Sequence, residues 1–193
     1  MARSFPEHRY KKKKFVWLDL EMTGLLPEHD SIIEIASIIT EPDLTFIAQG
    51  PSIVIHQPND ALNAMEDWPK KQHALTGLTE RVRQSTFSVA DAEQYTLDFI
   101  NEHVASDELV YFAGNSIYQD RAFLRLYMLN LHNRSYYRLI DVTTVKELIK
   151  AWYPHHPHIS YEKKETHRAL DDIYESLEEL RHYRRYFFPK GAE

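Results

Sequence analysis

Three acidic motifs stand out along this chain: Asp19-x-Glu21, Asp120, and His167-x4-Asp172. Four carboxylates and a histidine are the residue types that two-cation hydrolysis of a phosphodiester requires. Two divalent ions about 4 Å apart stabilise both the attacking and the leaving oxygen of an in-line displacement at phosphorus. Such hard cations prefer oxygen ligands, so several carboxylates are needed to hold them. A histidine that titrates near neutrality accepts the proton of the attacking water.

Each group needs an element to aim it. Residues 15–22, FVWLDLEM, read as a strand, and a period of two puts Phe15, Trp17, Asp19 and Glu21 on one face. Two adjacent acids on an otherwise apolar strand repel and are costly to bury. Such a local conflict is expected where a metal sits. The plain alternative, two surface acids on an edge strand, fits poorly with a segment this apolar. Thr23-Gly24 then turns the chain. Asp120 falls near the start of a helix over 117–131, where the helix dipole favours an acid. A dipole or capping role alone would account for it, so both uses stay open. Asn115, Ser116 and Gln119 just before it are suited to orienting a phosphate or a carboxylate. His167 opens a final helix over 167–186, whose apolar stripe is Leu170, Ile173, Leu177 and Leu180. At about 100° per residue, Asp172 lies nearer that stripe than Asp171. Spacing from His167 alone would favour Asp171, whereas orientation favours Asp172.

The remaining pattern supplies a scaffold. Strands are expected over 31–40 and 46–56, separated by Glu41-Pro42-Asp43, and again over 109–113 and 138–141. Helical pieces are expected over 61–76 with an interruption at Pro69, over 88–104 with Ser88 as cap, and over 142–152 before Pro154. Strands first, then alternating helices and strands, indicate an α/β sheet with some antiparallel pairing.

With 193 residues, 43% hydrophobic and 12% aromatic, the chain suits one folded domain with a proper core. Residues 1–13 are expected to be a flexible basic tail before a single domain at 14–193. The lysines at 11–14 read as a solvated extension, with nucleic-acid contact as the alternative. No apolar run approaches the ~20 residues of a membrane span, and Glu34 interrupts the best candidate. The apolar stretch after the lysines is short and contains Asp19 and Glu21, which argues against a secretory signal, and Glu7 and the shortness of the first segment argue against a mitochondrial leader. The absence of cysteine excludes disulfides, zinc-thiolate sites and thiol nucleophiles, and agrees with a cytoplasmic location. A net charge of −6 is awkward for a protein that grips long nucleic acid. Either the substrate is very short, or the acidity is concentrated where metals neutralise it. His155, His156 and His158 read as an exposed loop rather than a metal site. Tyr136-Tyr137-Arg138 reads first as core packing, with base stacking and phosphate binding as the alternative. The aromatics Tyr183, Tyr186, Phe187 and Phe188 read as an anchor for the C-terminus or an oligomer contact.

Together the motifs resemble the DEDDh exonuclease superfamily, whose RNase H-like α/β fold is a mixed five-stranded sheet flanked by helices. The first is Asp19-Leu20-Glu21-Met22-Thr23-Gly24, the second runs over 115–120, and the third is His167-Arg168-Ala169-Leu170-Asp171-Asp172. Within it, WLDLEMTGL, GNSIYQDRAFL, IDVTTVKEL and HRALDDI are similar to the oligoribonuclease family over nearly the full length. The resemblance implies a 3′→5′ exoribonuclease that degrades short single-stranded RNA, dinucleotides above all, to 5′-mononucleotides. It implies two divalent cations, Mg²⁺ or Mn²⁺, on Asp19, Glu21, Asp120 and Asp172, with His167 as general base. It implies a substrate site that includes Met22, Thr23, Gly24, Asn115 and Gln119, with Leu25 as a wedge against a base and Trp68 and His73 nearby. Ser116, Arg138 and Thr143 match positions that cap a dinucleotide's 5′-phosphate, and in a homodimer Tyr137 would come from the other subunit. Such a cap is a ruler, because a longer chain carries further phosphates where it closes. Thr143 stands where a serine is expected, keeping the hydroxyl, and Tyr118 where close bacterial relatives are expected to carry glycine. The rival expectations are a DEDDh enzyme trimming longer RNA 3′ ends or single-stranded DNA, and a binding protein that has lost catalysis. The five filled catalytic positions argue against the second.

Overall fold

The computed structural model describes residues 12–162 and 168–188, so His167 and nearly all of the expected basic tail lie outside the described residues. One mixed sheet contains β1 (Lys13–Met22), β2 (Ile32–Thr40), β3 (Phe46–Gln49), β4 (Ile53–Val54), β5 (Leu109–Gly114) and β6 (Ser135–Asp141). The strand order is β3-β2-β1-β5-β6, with β4 also on β2. Strands β1, β5 and β6 run parallel, and β2 is antiparallel to β1, β3 and β4. The expected five-strand path is present. The sixth strand is the second half of the expected third one, which Gly50-Pro51 divides. Pro51 cannot donate to a ladder, and a Cβ on Gly50 would meet the Phe99 ring at 2.6 Å.

The helices are α1 (Asn59–Asn63), α2 (Asp67–Leu75), α3 (Leu78–Gln84), α4 (Val89–His103), α5 (Ile117–Tyr127), α6 (Leu129–Arg134), α7 (Val142–Trp152) and α8 (Ala169–Phe187). Three differ from the sequence pattern. Pro69 does not interrupt α2. It sits in the first turn, where its missing N–H leaves nothing unpaired. Helix α3 carries too short an apolar period to be foreseen. The expected helix over 117–131 breaks at Met128, whose φ of −134° leaves the helical region. No proline or glycine marks that break. Met128 and Leu131 are both fully buried, so packing overrides local propensity there. Ser88 caps α4 as expected, in a reciprocal box with Asp91.

Strand β1 explains why the sheet has helices on both faces. Val16, Leu18 and Leu20 enter one core with Phe99, Phe112 and Phe123. Phe15 and Trp17 enter the opposite core with Ala36, Ile38, Ile149, Ile173 and Leu177. Trp17 is completely buried, and its Nε1 donates to Thr40 Oγ1 at 3.0 Å. The alternation carries Asp19 and Glu21 onto the face that α8 covers. A smaller cluster of Ile33, Leu62, Met65, Leu78 and Val82 seats α1 and α3. Among the described residues no helix is long and apolar enough to cross a membrane. Lys13, grouped with the tail by its charge, opens β1.

Candidate active site

The carboxyl ends of the parallel strands β1, β5 and β6 lie side by side, the edge of an open α/β sheet where ligands bind. Asp19 and Glu21 are there by strand alternation. The first turn of α8 adds Asp172, because Ile173 and Leu177 pin that helix onto Trp17 and Ile38. One carboxylate oxygen each from Asp19, Glu21 and Asp172 lies within 4.8 Å of the others. Asp171 is exposed outside that group. Asp120 reaches the site from the first turn of α5. It is 6% exposed, and its Oδ1 accepts from the Leu20 N–H at 2.9 Å. Asp120 is thus tied to the backbone between Asp19 and Glu21 rather than gathered into the three-acid group.

The electrostatics follow from this crowding. Burial, then the carboxylates of Asp120, Glu21, Asp172 and Glu34, hold the Asp19 carboxyl well above the usual carboxylate range. Glu21 is pushed up to about 8 by burial and then by Asp172, Glu34 and Asp120, with Arg81 opposing. Burial lifts Asp120 to about 7, although the Leu20 N–H opposes the rise. Acids this close share a cleft at neutral pH only by retaining protons or by receiving cations. The donor set is all oxygen, which fits hard divalent ions and not soft ones. A carboxylate cluster on this fold indicates divalent metal use.

Sequence reasoning missed Glu34 and Arg81. Glu34 is paired across the sheet with Glu21. It is 3% exposed, and its Oε1 accepts from Arg81 Nη1 and Ser52 Oγ at 3.2 Å each. The signal was an acid inside a run of isoleucines.

A cavity of about 640 Å³ adjoins the acids and is lined by Glu21, Met22, Thr23, Gly24, Leu25, Trp68 and His73, among others. Leu25 and Trp68 are 69% and 70% exposed, apolar side chains left facing water at its walls. The loop between depends on Gly24, where a Cβ would meet the Asp30 carboxylate at 2.4 Å. That carboxylate accepts from Thr23 Oγ1 at 3.0 Å and Leu26 N at 2.9 Å. The Gln119 amide donates to the Leu25 carbonyl at 2.6 Å, so Gln119 steadies the wedge residue. His73 is buried, with Nε2 donating to Met22 O at 2.9 Å and Nδ1 3.9 Å from Glu21 Oε2.

On the other side of Asp120, the hydroxyls of Ser116 and Thr143 stand 3.2 Å apart. Ser116 is in the left-handed region with φ of 49°. Its N–H donates to Thr143 Oγ1 at 3.0 Å and Asp141 Oδ1 at 3.2 Å. Asn115 orients a carboxylate, its Nδ2 donating to Glu179 Oε2 at 3.1 Å and to Ser176 Oγ at 2.9 Å. Tyr137 and Arg138 are exposed, not core, and Arg138 Nε donates to Tyr137 Oη at 3.0 Å.

Other sequence candidates fall elsewhere. His156 and His158 pack among Tyr153, Tyr186 and Phe187, with His158 stacked on Tyr186 at 3.8 Å. Lys13 begins β1 at the far end from Glu21, eight residues away, so at ~3.3 Å per residue the two lie about 26 Å apart.

The exonuclease family RNase_T matches residues 16–180. The chain is 48% identical to the oligoribonuclease of Bordetella pertussis over 90% of its own length and 94% of that protein's. It is 48% identical to that of Dichelobacter nodosus over 92% and 97%. Against that of Pseudomonas aeruginosa it is 49% identical over 91% and 96%. Among solved structures, Escherichia coli exonuclease I in complex with a dT13 oligonucleotide superposes with a TM-score of 0.70 at 14% identity. The match covers 92% of this chain and 42% of exonuclease I, a likeness of fold.

Proposed function

This chain belongs to the oligoribonuclease family of exonucleases, and on that premise we propose that it removes 5′-mononucleotides from the 3′ end of very short RNAs, with dinucleotides as its preferred substrate. The observation that carries the reading is the gathering of Asp19, Glu21 and Asp172 within 4.8 Å at the mouth of a cleft walled by Leu25 and Trp68.

Asp19, Glu21, Asp120 and Asp172 hold two divalent cations, Mg²⁺ or Mn²⁺. When bound, these supply Lewis-acid stabilisation of the attacking and departing oxygens. Leu25 and Trp68 take the bases, which favours stacking on an apolar wall over hydrogen-bond readout. His73 holds the Met22 carbonyl in place behind them. His167, assigned from the third motif, accepts the proton of the attacking water. The water oxygen bonds to phosphorus as the bond to the 3′ oxygen of the preceding nucleotide breaks, and that oxygen leaves to be protonated. Ser116, Thr143 and Arg138 bind the 5′-phosphate, which limits the substrate to two nucleotides and reconciles a net charge of −6 with a nucleic-acid substrate. Tyr137 completes that cap from the partner in a homodimer, a reading supported by its 63% exposure. The enzyme acts in the cytoplasm as a single catalytic domain over 14–193.

The test is a time course with 5′-labelled RNA of two, three, five and ten nucleotides, in Mn²⁺ and in EDTA. The dimer is expected to disappear far faster than the decamer, and only with metal. Equal rates at all lengths would replace this reading with a general 3′ exonuclease.

A further inference from the structure

We propose that Glu179, a buried acid on α8 outside the catalytic set, is the positioning residue that sets the hydrogen-bond polarity of the 5′-phosphate cap. This rests on the reading of Ser116, Arg138 and Thr143 as that cap.

Glu179 is 1% exposed. Its Oε1 accepts from Tyr183 Oη at 2.9 Å and faces Lys146 Nζ at 3.2 Å, and its Oε2 accepts from Asn115 Nδ2 at 3.1 Å. An ionised carboxylate only accepts, so the Asn115 side chain must turn its NH₂ toward α8. The second NH₂ proton is spent on Ser176 Oγ, which itself donates to the Asp172 carbonyl. The Asn115 carbonyl oxygen must then face Thr143, and it accepts from Thr143 Oγ1 at 3.3 Å. With its proton committed there, Thr143 presents lone pairs to Ser116, whose N–H donates to it at 3.0 Å. The Ser116 hydroxyl is then the donor of the 3.2 Å pair with Thr143, and its proton can turn from Thr143 to an arriving phosphate oxygen. Each step follows from the one before, and the chain starts at a buried carboxyl paired with Lys146 at 3.2 Å. It also holds Ser116 in a left-handed conformation that residues other than glycine avoid. Asp172, Ser176, Glu179 and Tyr183 follow one another at helical spacing, so a single ridge of α8 serves the cation site at one end and the cap at the other.

Glu179→Gln keeps the shape but offers an amide that can present either N or O, so the polarity of Asn115 is no longer fixed. The assay compares steady-state kinetics in Mn²⁺ on three substrates: a 5′-phosphorylated dinucleotide, the same dinucleotide with a 5′-hydroxyl, and bis(p-nitrophenyl) phosphate. KM for the phosphorylated dinucleotide is expected to rise about tenfold with kcat within about twofold, and the other two substrates are expected to be unaffected. Tyr183→Phe, which removes a partner of Glu179 but keeps the bond to Asn115, is expected to leave all three unchanged. Should Glu179→Gln fail to fold, Lys146→Met carries the test, with the same selective rise in KM. Equal losses on all three substrates, or no change on any, would overturn the role of Glu179 while leaving the cap reading intact. A wild-type enzyme indifferent to the 5′-phosphate would overturn the cap reading and this inference with it.

Discussion

Glu34 and Glu179 are both sealed from solvent behind a working surface, and the protein treats them in opposite ways. Behind Glu21, Glu34 has one oxygen bonded to Arg81 and Ser52, while its Oε2, and Arg81 Nε and Nη2, find no hydrogen-bond partner among the described residues. Behind the Ser116 turn, both oxygens of Glu179 are engaged, by Asn115, Tyr183 and Lys146. Buried polar groups are nearly always paired, so the Glu34 side is the exception. The acidic cleft is an incomplete electrostatic structure that cations finish, whereas the polar turn is finished by the chain itself. One region should therefore respond to metal and pH, and the other to neither.

The largest effect separating the two regions is on turnover. Asp19→Ala removes the acid on which four other carboxylates act, and it is expected to lower dinucleotide hydrolysis by about 10³-fold or more even at saturating Mn²⁺. A near-wild-type rate would mean that the acidic cleft is not where the reaction occurs.

Next comes stability without metal. Glu21 has an ordinary value of 4.5 and stands near 8 in the fold, so the folded chain keeps a proton that the unfolded chain releases across that window. A raised carboxyl value makes the protein most stable below the unfolded value and less stable as pH rises toward 8. Each retained proton is worth about 1.4 kcal/mol per pH unit, or roughly 3–5 °C in Tm for a chain of this size. In EDTA, Tm should fall between pH 6 and 8. Asp43 and Asp91, held low by hydrogen bonds from Thr45 and Ser88, are already ionised there and do not offset the fall. In Mn²⁺ the cations replace the protons, and the fall should vanish. A Tm that rises with pH in EDTA would contradict the picture of an uncompensated cleft.

A smaller effect compares the two counter-ions. Arg81→Met leaves Glu34 buried beside Glu21 without its cation, at a cost of about 2 kcal/mol in EDTA, partly restored by Mn²⁺. Lys146→Met is expected to destabilise by a similar amount that Mn²⁺ does not restore, as read by thermal unfolding with and without metal. An equal metal response in the two variants would erase the distinction.

How much of this was legible in the sequence follows the same division. The alternation of β1 and the stripe of α8 predict which acids converge, because periodicity determines direction. The break at Met128 and helix α3 were not legible, since burial of particular side chains decided them. Asn115 was legible as a residue that orients an anion, but not that the anion is Glu179, since a contact 64 positions away leaves no local pattern. Glu34 and Glu179 interrupt otherwise apolar faces, and that interruption was their one trace. His167 lies outside the described residues, so its role rests on the motif.

The finest test of the comparison is at Thr143, where a serine was expected. If the polar turn is complete in itself, what matters there is a hydroxyl that donates to Asn115 and accepts from Ser116, and the extra methyl is incidental. Thr143→Ser should then leave KM for a 5′-phosphorylated dinucleotide within about twofold. Thr143→Val keeps the volume but strips the Asn115 carbonyl of its donor and leaves the Ser116 N–H with Asp141 Oδ1 alone, and an unsatisfied acceptor of that kind costs about 1–3 kcal/mol, enough to raise KM by tenfold or so. Neither change should alter the slope of Tm against pH in EDTA, because Thr143 belongs to the turn and that slope belongs to the acids. A threonine-to-serine change that shifts the slope would show that the two regions share their electrostatics after all.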